Sequence, residues 1–519
     1  MLILLISTLV YICYSEAVHY GLLKWDSQKY IIENECIHGL TLFNVRCIFS
    51  SIYFSNWHPL TSLSYAIEYE FFGQNPKIYH VTNIVFHAIN SLLIYVVTKT
   101  LLLTKNIDGT QLRLAALISA VLFAVHPQHV ESVSWVSERK GLLSTCFFLL
   151  SIWSYIQYVL QQALRAKKVY FTLSFAAFVL SLLAKSIAIT MPVLLLLIDL
   201  YLLNRLSHPL NFRTIYNQLK PLIFEKSVFF LAAFVMIGVT VFSQVDGGSM
   251  SNLDNYPIQS RLINAIYSVF FYIGKWLLPL ELSPFYSDPA FVEHGNWATS
   301  IFIVLAFSAV VAVSVGLLKS GKPVPFLLLS FILISLSPVI GIITVGSHAA
   351  ADRYTYMPLI PLYLITGYYG ANFFVSLRTS RKWLAGICFV VIVLTLINVC
   401  RTQVTLWKND ITLWSYVTRG WTGSNTLPFT SLANAVYEQG NYKRAIRVYH
   451  LARSKGFVPP RFYLGLARSY GYLGEYHRAL EVYQYMLDQQ QLETQWRIIA
   501  ESDIADIRKK MLESNHVTE

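Results

Sequence analysis

The sequence predicts an all-α membrane protein: a polytopic helical bundle of about eleven spans, followed by a short C-terminal α-solenoid. Three observations predict this class. Of the 519 residues, 55% are hydrophobic and only 13% are charged, whereas soluble proteins carry about 25% charged residues. Apolar runs of about 20 residues, the length that a span requires, recur before residue 400. Beyond residue 400 the chain becomes polar and an internal repeat begins.

The hydrophobic pattern divides the chain into three predicted parts. Residues 1–400 form the membrane domain, and within it residues 21–78 form a large first outer loop. Residues 401–428 form a linker or capping segment, and residues 429–519 form the repeat domain. The first apolar run, residues 2–19, lacks a basic start and a small-residue cleavage site, so we interpret it as an uncleaved span.

The formal net charge of +12 is concentrated in short loops between apolar runs. By the positive-inside rule these loops face the cytoplasm, and a lipid bilayer rather than nucleic acid is the expected partner. The apolar stretch 262–279 would disturb the alternation if it crossed, so we expect it to be re-entrant or interfacial. The basic residues of the four loops are Arg165, Lys167 and Lys168; Arg205, Arg213, Lys220 and Lys226; Lys319 and Lys322; and Arg378, Arg381 and Lys382.

The remaining polar stretches then all reach the opposite, outer surface. They read "LKWDSQKY", "SNWHPLTS", "HPQHVESVSWVSERK" and "GSHAAADRYTYMP". Solvated loops without a common role would be spread over both surfaces, so the pattern predicts a shared outer site. Within the first outer loop, the helix that begins near Pro59 is amphipathic and is a candidate for lying along the membrane interface.

Six cysteines show no metal-binding spacing such as CxxC. Cys36 and Cys47 share the first outer loop and could form a disulfide in an oxidising compartment.

Two segments of the polar tail align at a spacing of 34 residues, "LANAVYEQGNYKRAIRVYHLA" and "LARSYGYLGEYHRALEVYQYM". A 34-residue period with small residues at the helix crossings and a glycine at the turn is typical of tetratricopeptide repeats. Such repeats form concave binding surfaces, so we expect the tail to hold a protein partner or acceptor.

Three interpretations of residues 126–140 stay open at this point. His126, His129 and Glu131 could bind a metal ion, although Pro127 is expected to break the helix between the two histidines. A capped helix start with Glu131, Trp135 and Glu138 on one face fits as well. Alternatively, Arg139 and Lys140 face a phosphate at the membrane rim or extend towards lipid head groups.

Three further charged positions stand out in the outer set. Lys185 interrupts an apolar run, where a charge in lipid would cost about 2.5–3.5 kcal/mol, so we expect it at a turn on the outer rim or buried with a partner. Asp352 and Arg353 could pair with each other. Asp26 is a lone carboxylate just beyond the first span.

Together these motifs resemble one family, the transmembrane and tetratricopeptide repeat O-mannosyltransferases and their bacterial relatives. The resemblance rests on stretches that follow the family's order along nearly the whole chain. Besides the first outer loop they include "HPQHVESVSWVSERKGLLS", "LLAKSIAITMPVLLLLIDL", "SPFYSD", "SHAAADRYTYMPLI" and "LWKNDITLWSYV".

The resemblance implies a glycosyltransferase of the C superfamily, which moves a sugar from a polyprenyl-phosphate donor to a protein or glycan hydroxyl on the outer face. It implies that an acidic residue of the first outer loop is the catalytic base. The family has two adjacent acids there. This chain has Asp26 and Ser27, so only Asp26 matches.

The remaining predicted site residues follow from that chemistry, because a departing phosphate needs cations. We expect no cofactor and no metal ligands, and the sequence leaves divalent metal participation open. The expected location is a bacterial inner membrane, with the site and the repeats on the periplasmic side. The predicted phosphate ligands are Lys185, Arg139 and Arg353, and the predicted pocket-lining residues are His58, His126, Glu131, Lys140 and Asp352.

Two other functions remain open. A non-enzymatic membrane scaffold would recruit a partner through its repeats, and Ser27 in place of a second acid favours this alternative. A transporter would need charges near the membrane midplane, whereas the polar residues here gather at one surface.

The predicted orientation can be tested by labelling. Because the four basic loops place the tail outside, the variant Glu475→Cys should react with a membrane-impermeant thiol reagent in intact cells. Labelling that appears only after the membrane has been permeabilised would reverse the orientation and remove the basis for a shared outer site.

Overall fold

A computed structural model describes residues 1–105, 107–203, 205, 212–247, 257–287, 296–342, 349–421, 423, 425–456, 458–459, 461–489 and 492–516. These residues are predominantly α-helical, and their only β-structure is two isolated antiparallel bridges, Tyr53 with Asn56 and Tyr286 with Ala350. The fold class is all-α, as predicted. The chain divides into two compact units, Met1–Lys408 and Asn409–Glu519.

The first unit contains the apolar helices. In chain order they are α1 (Leu2–Tyr14), α2 (Leu42–Ser50), α3 (Pro59–Phe72), α4 (Pro76–Leu103), α5 (Gly109–Val125), α6 (Val130–Ser134), α7 (Arg139–Leu160), α8 (Leu164–Ala184), α9 (Met191–Tyr201), α10 (Phe212–Glu225), α11 (Ser227–Asp246), α12 (Ile258–Leu277), α13 (Trp297–Lys319), α14 (Val324–Leu336), α15 (Ile360–Ser376) and α16 (Thr379–Thr405).

Seven helical segments of the described residues are long and apolar enough to cross a membrane, so the chain is an integral, multi-pass membrane protein. A bent pair, Gly109–Val125 with Pro127–Ser134, meets at 53° and would be an eighth span if it crosses as one. The predicted count of about eleven is therefore not confirmed. The seven segments are Leu2–His19, Pro76–Leu103, Val136–Leu160, Leu164–Ala184, Ser227–Asp246, Trp297–Lys319 and Thr379–Leu406.

Small and hydroxyl-bearing residues let the helices of this unit pack closely. The α7–α8 pair is joined by reciprocal serine bonds: Ser151 donates to the carbonyl of Ser174 at 2.7 Å, and Ser174 donates back at 2.9 Å. Ser181 donates to the carbonyl of Ser144 at 2.7 Å. Such interhelical hydrogen bonds between small residues are typical of membrane bundles. They hold α8, and therefore Lys185 at its end, against α7.

The segment between α1 and α4 contains the predicted first outer loop, residues 21–78. Cys36 and Cys47 form a disulfide across α2, with their Cα atoms 5.5 Å apart. On α3, Phe71 and Ile67 are exposed, as an interfacial helix requires. Tyr65 of the same helix is buried, and its hydroxyl donates to the carbonyl of Val136 at 2.9 Å. This bond ties α3 to the segment that leads into α7.

One of the predicted cytoplasmic loops contains a buried ionic cluster rather than solvated charges only. Asp199, at the end of α9, accepts hydrogen bonds from Lys226 at 2.5 Å and from Tyr155 at 2.7 Å. Arg205 pairs with Glu225 at 2.9 Å. Lys226 and Asp199 are fully buried. The ion pairs of the basic residues Lys226 and Arg205 therefore help to hold α7, α9 and α11 together.

The second unit consists of paired helices: α17 (Asp410–Arg419), α18 (Leu427–Glu438), α19 (Tyr442–Lys455), α20 (Arg461–Tyr472), α21 (Tyr476–Leu487) and α22 (Thr494–His516). The repeated alanines at the crossings, Ala433, Ala445, Ala467 and Ala479, are 0% exposed. Gly440 and Gly474 turn each pair with φ of +76° and +78°, a conformation that favours glycine. The tetratricopeptide assignment itself stays a prediction.

Candidate active site

Asp26 lies where the first outer loop meets the segment that leads into α7. Its neighbour Trp25 stacks on Trp135, with ring centroids 4.5 Å apart and an interplanar angle of 15°. On its other side, Ser27 is fully buried and its hydroxyl lies 2.9 Å from that of Ser137. These two contacts fix the backbone on both sides of Asp26 against residues 135–137.

The facing segment changes direction repeatedly between residues 125 and 139. Helix α5 ends at Val125, and Pro127 begins a 3₁₀ turn that leads into α6. Trp135 is extended, and a second 3₁₀ turn follows before α7 starts at Arg139. Because α6 ends at Ser134, Glu131 and Glu138 do not share one continuous helix. The interpretation of residues 126–140 as a capped helix start with both glutamates on one face is therefore wrong. The breaks instead let Glu131, Trp135 and Lys140 present side chains towards the first outer loop.

Arg139 is fully buried and all of its contacts are within the protein. It donates to Glu68 of α3 at 2.5 Å, to Asn83 of α4 at 2.9 Å and to the carbonyl of Tyr79 at 2.9 Å. Its guanidinium also lies 4.5 Å from the ring centre of Tyr65. This arrangement fits a residue that joins α3, α4 and α7 rather than one that receives a ligand.

Lys140, the next residue, is placed differently. Its ammonium lies over the ring of Tyr30 at 4.9 Å and over that of Trp135 at 6.0 Å. Within the part of the chain that the structure describes, it has no hydrogen-bond or ion-pair partner. The carboxylate of Asp26 likewise accepts no hydrogen bond from a described residue. The charge of Lys140 nevertheless acts on Asp26, so this cation and this carboxylate lie near each other without a hydrogen bond between them.

Lys185 ends α8 in an extended conformation and forms an ion pair with Glu138. It therefore lies at a helix break and is buried with a partner, and its predicted position on the outer rim stays a prediction. The pair is largely shielded, with 12% of the Lys185 side chain exposed. Glu138 packs so closely on the helix behind it that a Cβ at Gly141 would lie 2.6 Å from its carboxylate.

Arg353 enters the cluster from the turn before α15. Its guanidinium donates to Glu131 at 2.5 Å, and its backbone N–H donates to the same carboxylate at 2.7 Å. The guanidinium also lies 5.4 Å from the ring of Trp135. Asp352 does not pair with Arg353, because its carboxylate accepts from the Tyr286 hydroxyl at 3.1 Å.

The histidines divide into two groups. His126 is bonded to the carbonyl of Trp276 at 2.9 Å and accepts from the N–H of Gln128, and His129 bonds the carbonyl of Phe123 and the hydroxyl of Tyr363. Both rings are therefore engaged in the helical core. Among the described residues, no three His, Cys, Asp or Glu side chains are grouped so that they could hold a metal ion.

His58, by contrast, lies in the cluster. The positive charges of Lys140 and Lys185 act on its ring. Its Nδ1 is buried without a hydrogen-bond partner in the described residues, as are Nε1 of Trp135 and one oxygen of Glu138. A buried polar atom left unpaired costs about 1–3 kcal/mol. These three atoms therefore leave the cluster with polar groups that a ligand can satisfy.

Burial and charge set the protonation of the groups that line this space. Burial raises the pKa of Asp26, and the positive charges of Lys140 and Arg353 oppose that shift. Burial lowers the pKa of His58 well below its usual range, with the nearby lysines acting in the same direction. Burial and the neighbouring Glu131 raise the pKa of Asp352 well above its usual range. Because its pKa is lowered, the neutral form of His58 is favoured at physiological pH.

Comparison with known proteins adds the family context. No protein-family model matches the chain. Protein O-mannosyl-transferase TMTC4 of Mus musculus is 24% identical over 438 residues, which cover 76% of this chain and 57% of that protein. TMTC3 of Homo sapiens is 31% identical over 163 residues, 30% of this chain and 16% of that protein. The chain resembles the TMTC protein O-mannosyl-transferases.

A shorter stretch carries the similarity more strongly. TMTC4 of Homo sapiens is 41% identical over 106 residues, 19% of this chain and 14% of that protein. The chain thus spans little more than half of the mouse TMTC4 and a sixth or less of the human TMTC3 and TMTC4.

The structure brings together most of the predicted site residues. Asp26, Lys140 and Arg353 act electrostatically on one another. His58, Lys185 and Glu131 adjoin them through the contacts described above. Arg139 and Asp352 lie behind this group in internal bonds, and His126 contacts Trp276.

Sequence reasoning missed several supporting residues. They are Glu68, Asn83 and Tyr30, and it gave Trp135 and Glu138 only a place on one face of a helix. Glu68 and Arg139 are 71 positions apart, so no helical spacing could connect them. The available signal was a tryptophan close to a carboxylate in the sequence, as in Trp25 beside Asp26 and Trp135 three positions before Glu138.

The role of Arg139 as an internal tie predicts a large effect on stability. Removing one partner of a buried ion pair typically costs about 3–5 kcal/mol, because the other charge stays buried and uncompensated. Arg139→Ala and Glu68→Ala should each lower the free energy of unfolding by about that amount, measured by denaturant titration in mixed micelles.

The matched control is Glu33→Ala, which breaks the exposed pair that Glu33 forms with Lys29. A surface pair contributes about 0–1 kcal/mol, so this variant should unfold nearly like the parent. Equal effects of Arg139→Ala and Glu33→Ala would show that the internal tie is not important for the fold.

Proposed function

We propose that this chain is a membrane glycosyltransferase that moves a sugar from a polyprenyl-phosphate donor to a hydroxyl of a protein or glycan on the outer face. The observation that carries the proposal is the Asp26 carboxylate, which accepts no hydrogen bond from a described residue and on which the charge of Lys140 acts inside a cluster of buried charges. The similarity to proteins named O-mannosyl-transferases supports the reaction class.

The reaction needs two kinds of group, and the cluster contains both. The acceptor hydroxyl attacks the anomeric carbon of the sugar, and the bond from that carbon to the phosphate oxygen breaks. A base must take the proton of the hydroxyl, and cations must stabilise the phosphate that leaves. In our proposal Asp26 takes the proton. Lys140 and Arg353 hold the phosphate, and Lys185 supports them.

The charges of this cluster balance before and after the reaction. Asp26, Glu131 and Glu138 provide three negative charges, and Lys140, Lys185 and Arg353 provide three positive ones. When the donor phosphodiester becomes a phosphomonoester, the phosphate gains one negative charge. Asp26 loses one negative charge when it takes the acceptor proton. The total charge of the buried site therefore stays constant, which avoids the cost of a new uncompensated charge.

The proposal assigns Arg139 and Lys140 different roles from those expected from the sequence. Arg139 spends its donors on Glu68, Asn83 and Tyr79, so we propose that it positions the first outer loop. Lys140 is the cation without a partner in the described residues, so we propose that it is the main phosphate ligand. His58 is neutral and can donate or accept one hydrogen bond to the same ligand.

The location of the site is part of the proposal. The Cys36–Cys47 disulfide lies in the same loop as Asp26, and disulfides persist in oxidising compartments. This agrees with an extracytoplasmic face, which is the periplasm if the membrane is a bacterial inner membrane. A protein acceptor held by the C-terminal helix pairs is the partner we propose for the tail.

A membrane scaffold without catalytic activity is the second candidate function. It is favoured by Ser27, which stands where the family has a second acid and is bonded internally to Ser137. A scaffold predicts no transfer with any donor, whereas the proposed enzyme predicts turnover that depends on Asp26.

The variant Asp26→Asn tests the proposed base. Asn keeps the size of the side chain but cannot accept the proton, and general-base catalysis contributes about 10²–10⁴-fold. Transfer from a polyprenyl-phosphate sugar to a hydroxyl-bearing peptide, with mannose as the first sugar, should fall by at least 10²-fold while membrane insertion is kept. Glu33→Gln in the same loop is the control and should transfer at the parent rate. Parent-rate transfer by Asp26→Asn would eliminate Asp26 as the base.

The same assay gives a pH dependence with a defined sign. Asp26 must be deprotonated to act, and burial raises its pKa above the ordinary value of about 3.9. The rate should therefore fall on the acid side, with a midpoint above that value, and this limb should be absent from the residual activity of Asp26→Asn. An acid limb that is unchanged in the variant would assign the titration to another group.

The proposed phosphate ligand can be tested with two lysine variants of equal charge. Lys140→Met should raise the KM for the lipid-linked donor or lower kcat by 10-fold or more, because one charge-assisted contact to phosphate is lost. Lys168→Met removes a lysine at the start of α8, at the other end of that helix from Lys185, and should leave both parameters unchanged. Equal effects of the two substitutions would exclude a specific role for Lys140.

A further inference from the structure

A cavity lies within the first unit, and none of its lining residues belongs to the proposed catalytic cluster. It has a volume of about 260 Å³ and lies among α4, α7, α9, α14 and α15. Its walls are almost entirely apolar and include Leu101, Ile152, Ile198, Phe331 and Leu364. Tyr369, which also lines it, is 53% exposed, so the cavity reaches the outer surface of the bundle. We refer to it as the apolar cleft.

The cleft exists because two of its walls are short. The apolar stretches Ser186–Leu200 and Val324–Leu336 are too short to be counted among the spans. A helix of 13 residues is about 20 Å long, whereas the hydrocarbon core is about 30 Å thick. Helices α9 and α14 are therefore shorter than the hydrocarbon core is thick, and both line the cleft.

The polar groups of the cleft gather at one end of it. Lys105, just beyond the end of α4, lines the cleft together with Tyr368 and Tyr369. Lys322 lies two residues before Val324, the first cleft residue of α14. Along α4, Lys105 is 22 positions beyond Asn83, which bonds Arg139 next to the catalytic cluster. At 1.5 Å per residue this is about 33 Å, the thickness of the hydrocarbon core. Lys105 therefore lies at the opposite membrane rim, and Lys322 adjoins the cleft through its position in the turn just before α14.

We propose that the apolar cleft binds one acyl chain of an anionic phospholipid from the leaflet opposite to the catalytic cluster, with the head-group phosphate held by Lys105 and Lys322. The surrounding medium at this depth is hydrocarbon, so a cavity without polar groups is filled by a lipid chain and not by water. The two lysines at its rim make a negatively charged head group the complementary one. This inference does not rest on the proposed sugar transfer.

The test is lipid retention by the purified full-length chain, measured by native mass spectrometry with phosphatidylglycerol and phosphatidylcholine of equal chain length. Phosphatidylglycerol should be retained more strongly. A lysine near an anionic lipid head group corresponds to about a fivefold change in affinity. The double variant Lys105→Ala/Lys322→Ala should therefore weaken phosphatidylglycerol binding by roughly 30-fold and leave phosphatidylcholine binding unchanged.

Matched controls separate this site from general attraction to a basic rim. Arg165→Ala/Lys168→Ala removes the same charge from the start of α8, which does not line the cleft, and should have little effect. Leu327→Trp should block the cleft and lower retention of phosphatidylglycerol, whereas the volume-conserving Leu327→Met should not.

Three results would overturn the proposal. The first is equal retention of the two phospholipids by the parent chain. The second is equal losses in the two double charge variants. The third is displacement of phosphatidylglycerol from the cleft by a polyprenyl phosphate in a chain that carries Lys140→Met, since that would make the cleft a site for the donor lipid.

Discussion

The buried guanidinium of Arg139 is the contact on which the rest of the site depends. It joins α3 through Glu68, α4 through Asn83 and Tyr79, and its own helix α7. A guanidinium offers five donors in a fixed plane, so one side chain can hold three helices in one geometry. Because α3 ends the first outer loop and α7 begins beside it, this tie determines where Asp26 meets Lys140. The segment Trp135–Ser137 then receives Trp25 and Ser27, so the loop is anchored on both sides of the proposed base.

The second constraint is the balance of charge in a place where water is scarce. Three carboxylates and three cations lie close together, and two pairs, Lys185 with Glu138 and Arg353 with Glu131, already neutralise each other. The pair that remains, Asp26 and Lys140, is not joined by a hydrogen bond. A site that keeps one acid and one cation apart can take a substrate between them. In the proposed reaction, the acid receives a proton at the same step in which the phosphate next to the cation gains its charge.

The sequence predicts the class of the fold and the membership of the site better than the role of each residue. Composition and apolar runs suffice for an all-α membrane protein, because a span must be apolar over its whole length. The basic loops predict that the polar stretches share one side of the membrane, and in the structure Arg353 acts electrostatically on both Asp26 and Lys185. Roles depend on partners that lie far apart in sequence. Arg139 and Lys140 are adjacent and chemically similar, yet Glu68 engages only the first of them.

The number of membrane spans is a second feature that the sequence alone does not determine. Helices α9 and α14 are apolar but short, and only their packing in three dimensions decides whether they line a cleft or cross the membrane. Asp199 and Lys226 are a further example, because a loop rich in basic residues predicts solvated charges, whereas these two are fully buried against each other. Burial of paired charges leaves no trace in composition or periodicity.

We propose that the cluster around Asp26 holds the phosphate of a lipid-linked sugar. The decisive measurement is an experimental structure of the full-length chain with a polyprenyl-phosphate sugar bound. We expect phosphate density in contact with Lys140 and next to Arg353, with the sugar between that phosphate and the carboxylate of Asp26. Phosphate density at any other place, with the space between Asp26 and Lys140 empty, would contradict it.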